Sequence, residues 1–462
     1  MLPLLLIFFV HLFLLVNTRF TLWPEMVVYP YLLNNGFSLY KDIINPYMPF
    51  LTGFLAIFAK IFGYSPTPYK IFTWILILTI DLLVFFIAKK TLGGLKSAYF
   101  ALIFFVILSV PLGINGLWFD LVQTPFILLS CCFFFRYFES NKSNRNLLWS
   151  SLFLAVAFSI KQQALLLLLW FIIVIIFKNK NKKFSHSFSE ILVLIIPLMI
   201  MIFSTGVVFL TKGYLKDFLF WTIYFPFINA SRMPGYLLLP TIRQLLLIFT
   251  FMLILYPSLI RKGKSSFLKA ASAIVLIFFA YPRFDYFHLI PTLAIISLST
   301  GDNFYYFFKK NLSSKFLLVF IIASVSVLST KYFLRNWTPE VRFFEREILQ
   351  SATFLKTVTD YHQKIYILNG PDQLFPLSDT LPTKPWVDEF PWYLELSNVQ
   401  QKVVEGLNLE DPKFVVFKPY EKGNKFEIGS YRPKLILDYI DKSYMDFIQI
   451  SDSHWLKNKK LN

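Results

Sequence analysis

The stretch "TLWPEMVVYPYLLNNGFSLYKDIINPYMP", Thr21 to Pro49, separates an apolar N-terminal run from a second apolar block. It holds two carboxylates, Glu25 and Asp42, four tyrosines, Tyr29, Tyr31, Tyr40 and Tyr47, and a turn built on Asn34, Asn35 and Gly36. Its surroundings are made for lipid. The 462 residues are 56% hydrophobic, include 55 Phe and have a mean hydropathy of +0.58, whereas a soluble domain is about 45–50% apolar and about 25% charged. The chain reads as a polytopic α-helical membrane protein.

Crossing about 30 Å of hydrocarbon takes roughly 20 apolar residues in a helix. Such runs recur at 2–20, 69–88, 97–112, 121–138, 147–160, 163–177, 190–210, 241–260, 267–281, 286–300 and 316–333, about eleven in all by this length rule. The first, Leu2 to Val16, has no basic n-region and no small-residue cleavage site, so it is expected to be a retained helix. The pair at 147–160 and 163–177 is short enough to be a tilted or shallow hairpin with Lys161 at its tip.

The net charge of +18 does not mark a nucleic-acid groove. The basic residues collect between apolar runs: Lys89, Lys90 and Lys96; Arg136, Lys142 and Arg145; "KNKNKK" at 178–183; "RKGK" at 261–264; Lys309, Lys310 and Lys315. With about eleven spans all five clusters fall on one side, which the positive-inside rule makes cytoplasmic, with the N-terminus. The opening loop 21–68, "GINGLWFD" ending at Asp120, "KQQ" at 161–163, the loop 211–240, "YPRFDYFH" at 281–288 and the tail then face outward. The organisation expected is a transmembrane domain, 1–333, and a small extracytoplasmic α/β domain, 334–462. In the tail, "KIYILNG" and "KFVVFKPY" read as buried strands, "LSNVQQKVVEGL" as a helix, and Thr338, Pro339 and Glu340 as the cap and first turn of another.

Of the chemistry-bearing groups, Glu25 and Asp42 stand out. A carboxylate partly shielded at the membrane surface has its pKa raised into the range of a general base toward an acceptor hydroxyl; the plainer alternative is two solvated acids among an interfacial tyrosine belt. Lys161, Arg283 and His288 reach the same face by topology. Together they suit an anionic lipid phosphate, and singly they read as snorkelling or interfacial residues. Asp81, inside the second span, is either a transport residue or a structural hydrogen bond to a neighbouring helix, and His11 in the first span gets the same two readings. The aromatic loop 211–240, with Asp217 and Arg232, is a lid over a lipid chain or an amphipathic surface helix. Cys131 and Cys132, adjacent in an apolar run, read as packing residues. Five scattered histidines form no metal cluster, so no metal site is assigned, although Glu25 and Asp42 have the oxygen ligands that suit Mg²⁺ or Mn²⁺.

The order of these elements resembles the C-type (GT-C) membrane glycosyltransferases, which include relatives of the protein O-mannosyltransferases and of the lipid A aminoarabinose transferases. The likeness lies in a first span, an acid opening a large outer loop, then "LLNNGFSLYKDIINPYMPFLTGFLAIFAKIFG"; in "FSIKQQALLLLL", like the family's outer Lys-Gln element; and in "YPRFDYFHLIPTLAI", like its late Arg-plus-aromatic loop. It covers most of 1–333. It implies sugar transfer from a polyprenyl-phosphate donor to an extracytoplasmic lipid, glycan or protein acceptor, without a nucleotide sugar or an organic cofactor. Glu25 takes the place of the catalytic acid and Asp42 that of the second loop acid. Lys161, followed by Gln162, and Arg283 with His288 take the donor phosphate. The family often has Asp-Glu where this chain has Pro24 and Glu25, which leaves the base open between Glu25 and Asp42. One acid and a cationic leaving-group site imply inversion. The competing reading is a transporter or flippase for a glycolipid, which predicts ionisable residues around a midplane cavity; a scaffold whose tail binds a partner is a third.

Overall fold

The structure, a computed structural model, describes residues 2–91, 94–139, 144–181, 183–233, 235–260, 263–309, 312–388, 390–420 and 431–460. Of the basic clusters, Lys142, Lys182, Arg261, Lys262 and Lys310 lie outside the described residues. The chain forms two compact units. One contains Met1–Phe20, Lys70–Val207 and Leu239–Glu340; the other contains Thr21–Tyr69, Val208–Leu238 and Val341–Asn462.

The first unit is helical. Each expected span coincides with a helix, because a helix lets nearly every backbone group of an apolar run bond within its own segment, and Pro125, Pro197 and Pro257 are carried inside their helices. Among the described residues five helices are long and apolar enough to cross a membrane: Pro66–Thr91, Phe119–Glu139, Phe184–Thr211, Ile242–Ile260 and Lys315–Asn336. The others are shorter, among them Leu2–Asn17, Leu95–Ser109, Asn144–Ile160 and Lys264–Ile277. Side chains such as Ile200 and Phe203 stand exposed, as a lipid-facing surface requires.

Polar groups stitch these helices together. The Ser130 hydroxyl donates to the Ser150 carbonyl at 2.9 Å, and Asn303 donates to the Ile254 carbonyl at 2.9 Å while accepting from Ser258 at 3.0 Å. Asp81 Oδ2 meets His11 Nδ1 at 2.6 Å with both side chains fully buried, and His11 Nε2 lies 3.3 Å from the Ser109 hydroxyl. Of the two readings of Asp81, the interhelical hydrogen bond is the one observed. The first helix ends on Asn115, whose amide donates to the carbonyls of Leu15 (2.8 Å) and Thr18 (3.0 Å) and accepts from Trp74 Nε1 at 3.0 Å. It thereby satisfies carbonyls that a helix end leaves unpaired.

The expected helix start at Thr338 is overturned. The Arg19 N–H donates to the Asn336 carbonyl at 2.8 Å and the Phe20 N–H to the Glu340 carbonyl at 3.1 Å, while Arg19 pairs with Glu340 at 3.0 Å. This pairing leaves 337–340 outside any helix, and the tail's first helix begins at Arg346 (Arg346–Val358).

The second unit is built on a four-stranded sheet in the order Ile365–Leu368, Phe414–Phe417, Trp455–Lys459, Tyr444–Gln449, the first pair parallel and the others antiparallel. The strands read in "KIYILNG" and "KFVVFKPY" are that parallel pair, and the expected helix is Val399–Glu410. The opening loop, expected within the 1–333 domain, packs with this sheet. Val28, Tyr29, Tyr31, Leu32, Phe37 and Ile43 share one core with Leu355, Ile365, Ile367, Trp386, Val416 and Leu456. Gly406 sits where a Cβ would lie 2.1 Å from the Lys384 carbonyl oxygen, so only glycine lets its helix approach that segment. Pro49–Phe62 is a helix with Pro49 at its first turn and Gly63 closing it at φ 78°; Leu51, Leu55 and Ala59 face inward and Ile57 and Ile61 outward.

The aromatic loop 211–240 takes the amphipathic form. Leu215–Leu219 is α-helical and Phe220–Asn229 a π-helix carrying Pro226. Phe218, Trp221 and Phe225 are buried, while Ile223, Tyr224 and Phe227 are exposed. Within this unit the Phe218 ring packs 5.2 Å from Tyr40.

Candidate functional site

The acids and phenols of the opening loop divide by what they touch. Glu25 is the first residue of the helix Glu25–Asn34, set there by Pro24, whose fixed φ suits a helix start. The side chain is partly exposed, yet its Oε2 is buried with no hydrogen-bond partner. Burial pushes the Glu25 carboxyl up to about 7 against the opposing pull of its own backbone N–H. It is therefore part ionised at neutral pH, the condition a general base needs.

Tyr29 lies one turn along the same helix face, its ring edge-on to Trp386 at 5.5 Å. Its phenol is pushed well up by burial first, then by the charges of Asp388, Tyr393, Glu25 and Tyr47. Tyr31 and Tyr40 do other work: Tyr31 donates to the Thr380 carbonyl at 2.9 Å and Tyr40 to the Tyr47 carbonyl at 2.8 Å. The loop thus has one end where the acid, Glu25, leaves an oxygen without a hydrogen-bond partner, and a folding end.

Asp42 belongs to the folding end. Its Oδ2 accepts from the Ser38 N–H at 2.9 Å and from Lys384 Nζ at 3.4 Å, and its carbonyl accepts from the Trp386 N–H at 2.9 Å. The carboxylate closes its own turn and pins a tail segment to it.

In the first unit two of the expected phosphate ligands, Lys161 and His288, meet at an acid that the reading of the sequence did not assign. Lys161 stands at the break between Asn144–Ile160 and the short turn Gln162–Ala164, and it is buried. Its Nζ donates to Asp120 Oδ2 at 2.7 Å; His288 Nδ1 reaches the same oxygen at 2.7 Å and lies 3.4 Å from Lys161 Nζ. Asp120 is fully buried in the first turn of Phe119–Glu139, and its Oδ1 accepts from Gln123 at 3.1 Å. His288 is placed by the 3-10 turn Tyr286–Leu289, capped by the Asp285 carboxylate on the Tyr286 N–H at 2.7 Å. Gln162 is partly exposed beside Lys161. Its neighbour Gln163 donates to the Tyr281 carbonyl at 2.6 Å, which ties this turn to the loop bearing the partly exposed Arg283.

The arrangement balances charge locally. Asp120 answers Lys161, with the His288 imidazole on the same oxygen, and Arg283 stands in the adjoining loop. The signal for Asp120 was an acid opening an apolar run; what was missing was its partners, 41 and 168 positions away. No group of three or more His, Cys, Asp or Glu side chains able to hold a metal occurs among the described residues.

Residues 45–208 match the family model for dolichyl-phosphate-mannose-protein mannosyltransferase. No curated protein matches the chain. Among solved structures, ArnT from Cupriavidus metallidurans bound to undecaprenyl phosphate is similar over 98% of this chain and 96% of its own, at 10% identity and a TM-score of 0.60. The archaeal oligosaccharyltransferase AglB from Archaeoglobus fulgidus, in complex with an inhibitory peptide and a dolichol-phosphate, is similar over 98% of this chain and 74% of its own, at 11% identity and a TM-score of 0.54. The arabinofuranosyltransferase AftD from Mycobacteria is similar over 99% of this chain and 41% of its own, at 12% identity and a TM-score of 0.56. At such identities the likeness is one of fold. With the family match over 45–208, it likens the fold of this chain to that of the C-type membrane glycosyltransferases.

Proposed function

We propose that the protein transfers a hexose or pentose from a polyprenyl-phosphate donor to an extracytoplasmic acceptor, with inversion at the anomeric carbon. The observation that carries this reading is Glu25, a carboxyl whose buried Oε2 has no hydrogen-bond partner and which is pushed up to about 7. In the step, the acceptor hydroxyl gives its proton to Glu25 and its oxygen bonds to the anomeric carbon. The bond from that carbon to the phosphate oxygen breaks, and the electron pair leaves with the polyprenyl phosphate. On the donor side Lys161, Gln162, Arg283 and His288 receive the phosphate, with Asp120 holding Lys161 and His288 in place. Asp42, committed to Ser38 and Lys384, supports the loop and is not the base.

In this reading about eleven helical spans of 1–333 cross the membrane with the N-terminus cytoplasmic, and 334–462 is an extracytoplasmic α/β domain. The transporter reading loses its main support because Asp81 is engaged by His11.

The test is transfer in membranes from labelled polyprenyl-phosphate sugars, comparing wild type, Glu25→Gln and Asp42→Asn at matched folded protein. Loss in Glu25→Gln with activity kept in Asp42→Asn is the expected result. Full activity in Glu25→Gln moves the base elsewhere, and no transfer from any donor by the wild type sinks the transferase reading.

A further inference from the structure

A third carboxylate enters the surroundings of Glu25, and it comes from the tail. The segment from Lys384 is clamped from several directions: Gly406 leaves room for the Lys384 carbonyl, Glu410 Oε2 accepts from the Lys384 N–H at 3.2 Å, and the Trp386 N–H is bonded to Asp42. Trp386 and Val387 are buried. The backbone then turns: the Asp388 carbonyl accepts from the Phe390 N–H at 2.7 Å, and the Phe390 carbonyl from the Tyr393 N–H at 2.9 Å. Two residues beyond the Trp386 ring that touches Tyr29, Asp388 opens the turn that carries Tyr393.

The Tyr393 ring is fixed as well, 5.5 Å from Phe225, 6.1 Å from Trp221 and 5.8 Å from Phe390. Glu25 stands one turn before Tyr29 on their helix, and Asp388 follows by two residues the Trp386 ring that touches Tyr29. Two acids set on either side of this ring contact form one constellation. A phenol held neutral donates a single hydrogen bond, and an ionised carboxylate accepts several. Such a wall fits a ligand presenting more than one hydroxyl.

On the reading that Glu25 is the acceptor's base, we propose that Asp388 is the second acid of the acceptor site. It accepts a hydrogen bond from an acceptor hydroxyl other than the one that Glu25 deprotonates. The acceptor class that follows is a glycan or other polyol, because a serine or threonine side chain has no second hydroxyl to offer.

The test uses the full-length protein in lipid nanodiscs, labelled undecaprenyl-phosphate hexoses and pentoses as donors, and methyl glycosides or a Ser/Thr peptide as acceptors. Wild type should transfer to a glycoside and not to the peptide. Asp388→Asn should raise the glycoside KM roughly ten- to a hundredfold, the worth of a hydrogen bond to a charged group. Its kcat should stay within a few-fold and its melting temperature near wild type, with Asp388→Glu recovering part of the KM. A wild-type KM in Asp388→Asn beside an inactive Glu25→Gln overturns this proposal alone. Should Asp388→Asn fail to fold, the acceptor arm decides, and transfer to the peptide only overturns it. An active Glu25→Gln, or a wild type that uses no donor, overturns the functional reading, and this proposal goes with it.

Discussion

Replacing Glu25 by Gln should separate activity from stability. In the folded chain the Glu25 carboxyl titrates at about 7 against 4.5 for an unburied glutamate, so its ionised form opposes folding by about 3 kcal/mol at most. The sign follows from the raised value. The stability associated with the bound proton is fully present below pH 4.5 and is lost as pH rises through about 7. Glutamine has the same shape and no charge, but it buries amide donors, so about 1–3 kcal/mol of the cost is recovered above pH 7. Thermal unfolding in nanodiscs at pH 5 and pH 8 reads this directly. Glu25→Gln should melt close to wild type at pH 5 and roughly 2–12 °C above it at pH 8, while having lost transfer. A variant that melts below wild type at pH 8, or whose difference from wild type does not change with pH, refutes the claim that burial sets the Glu25 proton affinity.

Three further outcomes follow from contacts elsewhere. Asp120→Ala leaves Lys161 buried without its counter-charge and should cost about 3–5 kcal/mol, read as a large fall in melting temperature; an unchanged melting point would show that the pair is not desolvated. Gly406→Ala forces a methyl into the Lys384 carbonyl and should destabilise by about 1–3 kcal/mol, seen as faster proteolysis at the tail, and wild-type resistance would refute the close approach. Asn115→Ala removes the amide that ends the first helix and should cost about 1–3 kcal/mol; Asn115→Asp, which keeps the acceptor for Trp74 but not the donor, should be no better, and full stability in either variant contradicts the cap.

The helices were legible because lipid imposes a single rule, long apolar runs with every backbone bond internal, and each predicted run coincides with a helix. Glu25 was legible for a related reason: an acid directly after such a run is conspicuous. Asp120 had the same signal at the opposite end of a run, but its meaning lies in Lys161 and His288, and nothing local to residue 120 names them. Thr338 failed as a helix start because its segment pairs with Arg19 and Phe20 across more than three hundred residues, which outweighs local capping preference. Asp42 looked equivalent to Glu25 by residue type. What sets it apart is its bonding to Ser38 and Lys384, the second of which sits in the tail.

The core that joins the opening loop to the tail also sets a schedule. Val28, Tyr29 and Leu32 are made before most of the membrane helices, and Leu456, which completes the same core, after them. At about 5–20 residues per second, the loop waits roughly 20–90 s for its partner strands. Throughout that interval every helix of the first unit can be threaded while Val28, Tyr29 and Leu32 still lack the strands that complete their core. A chain cut short after the first unit would carry its membrane helices and leave this apolar face uncovered.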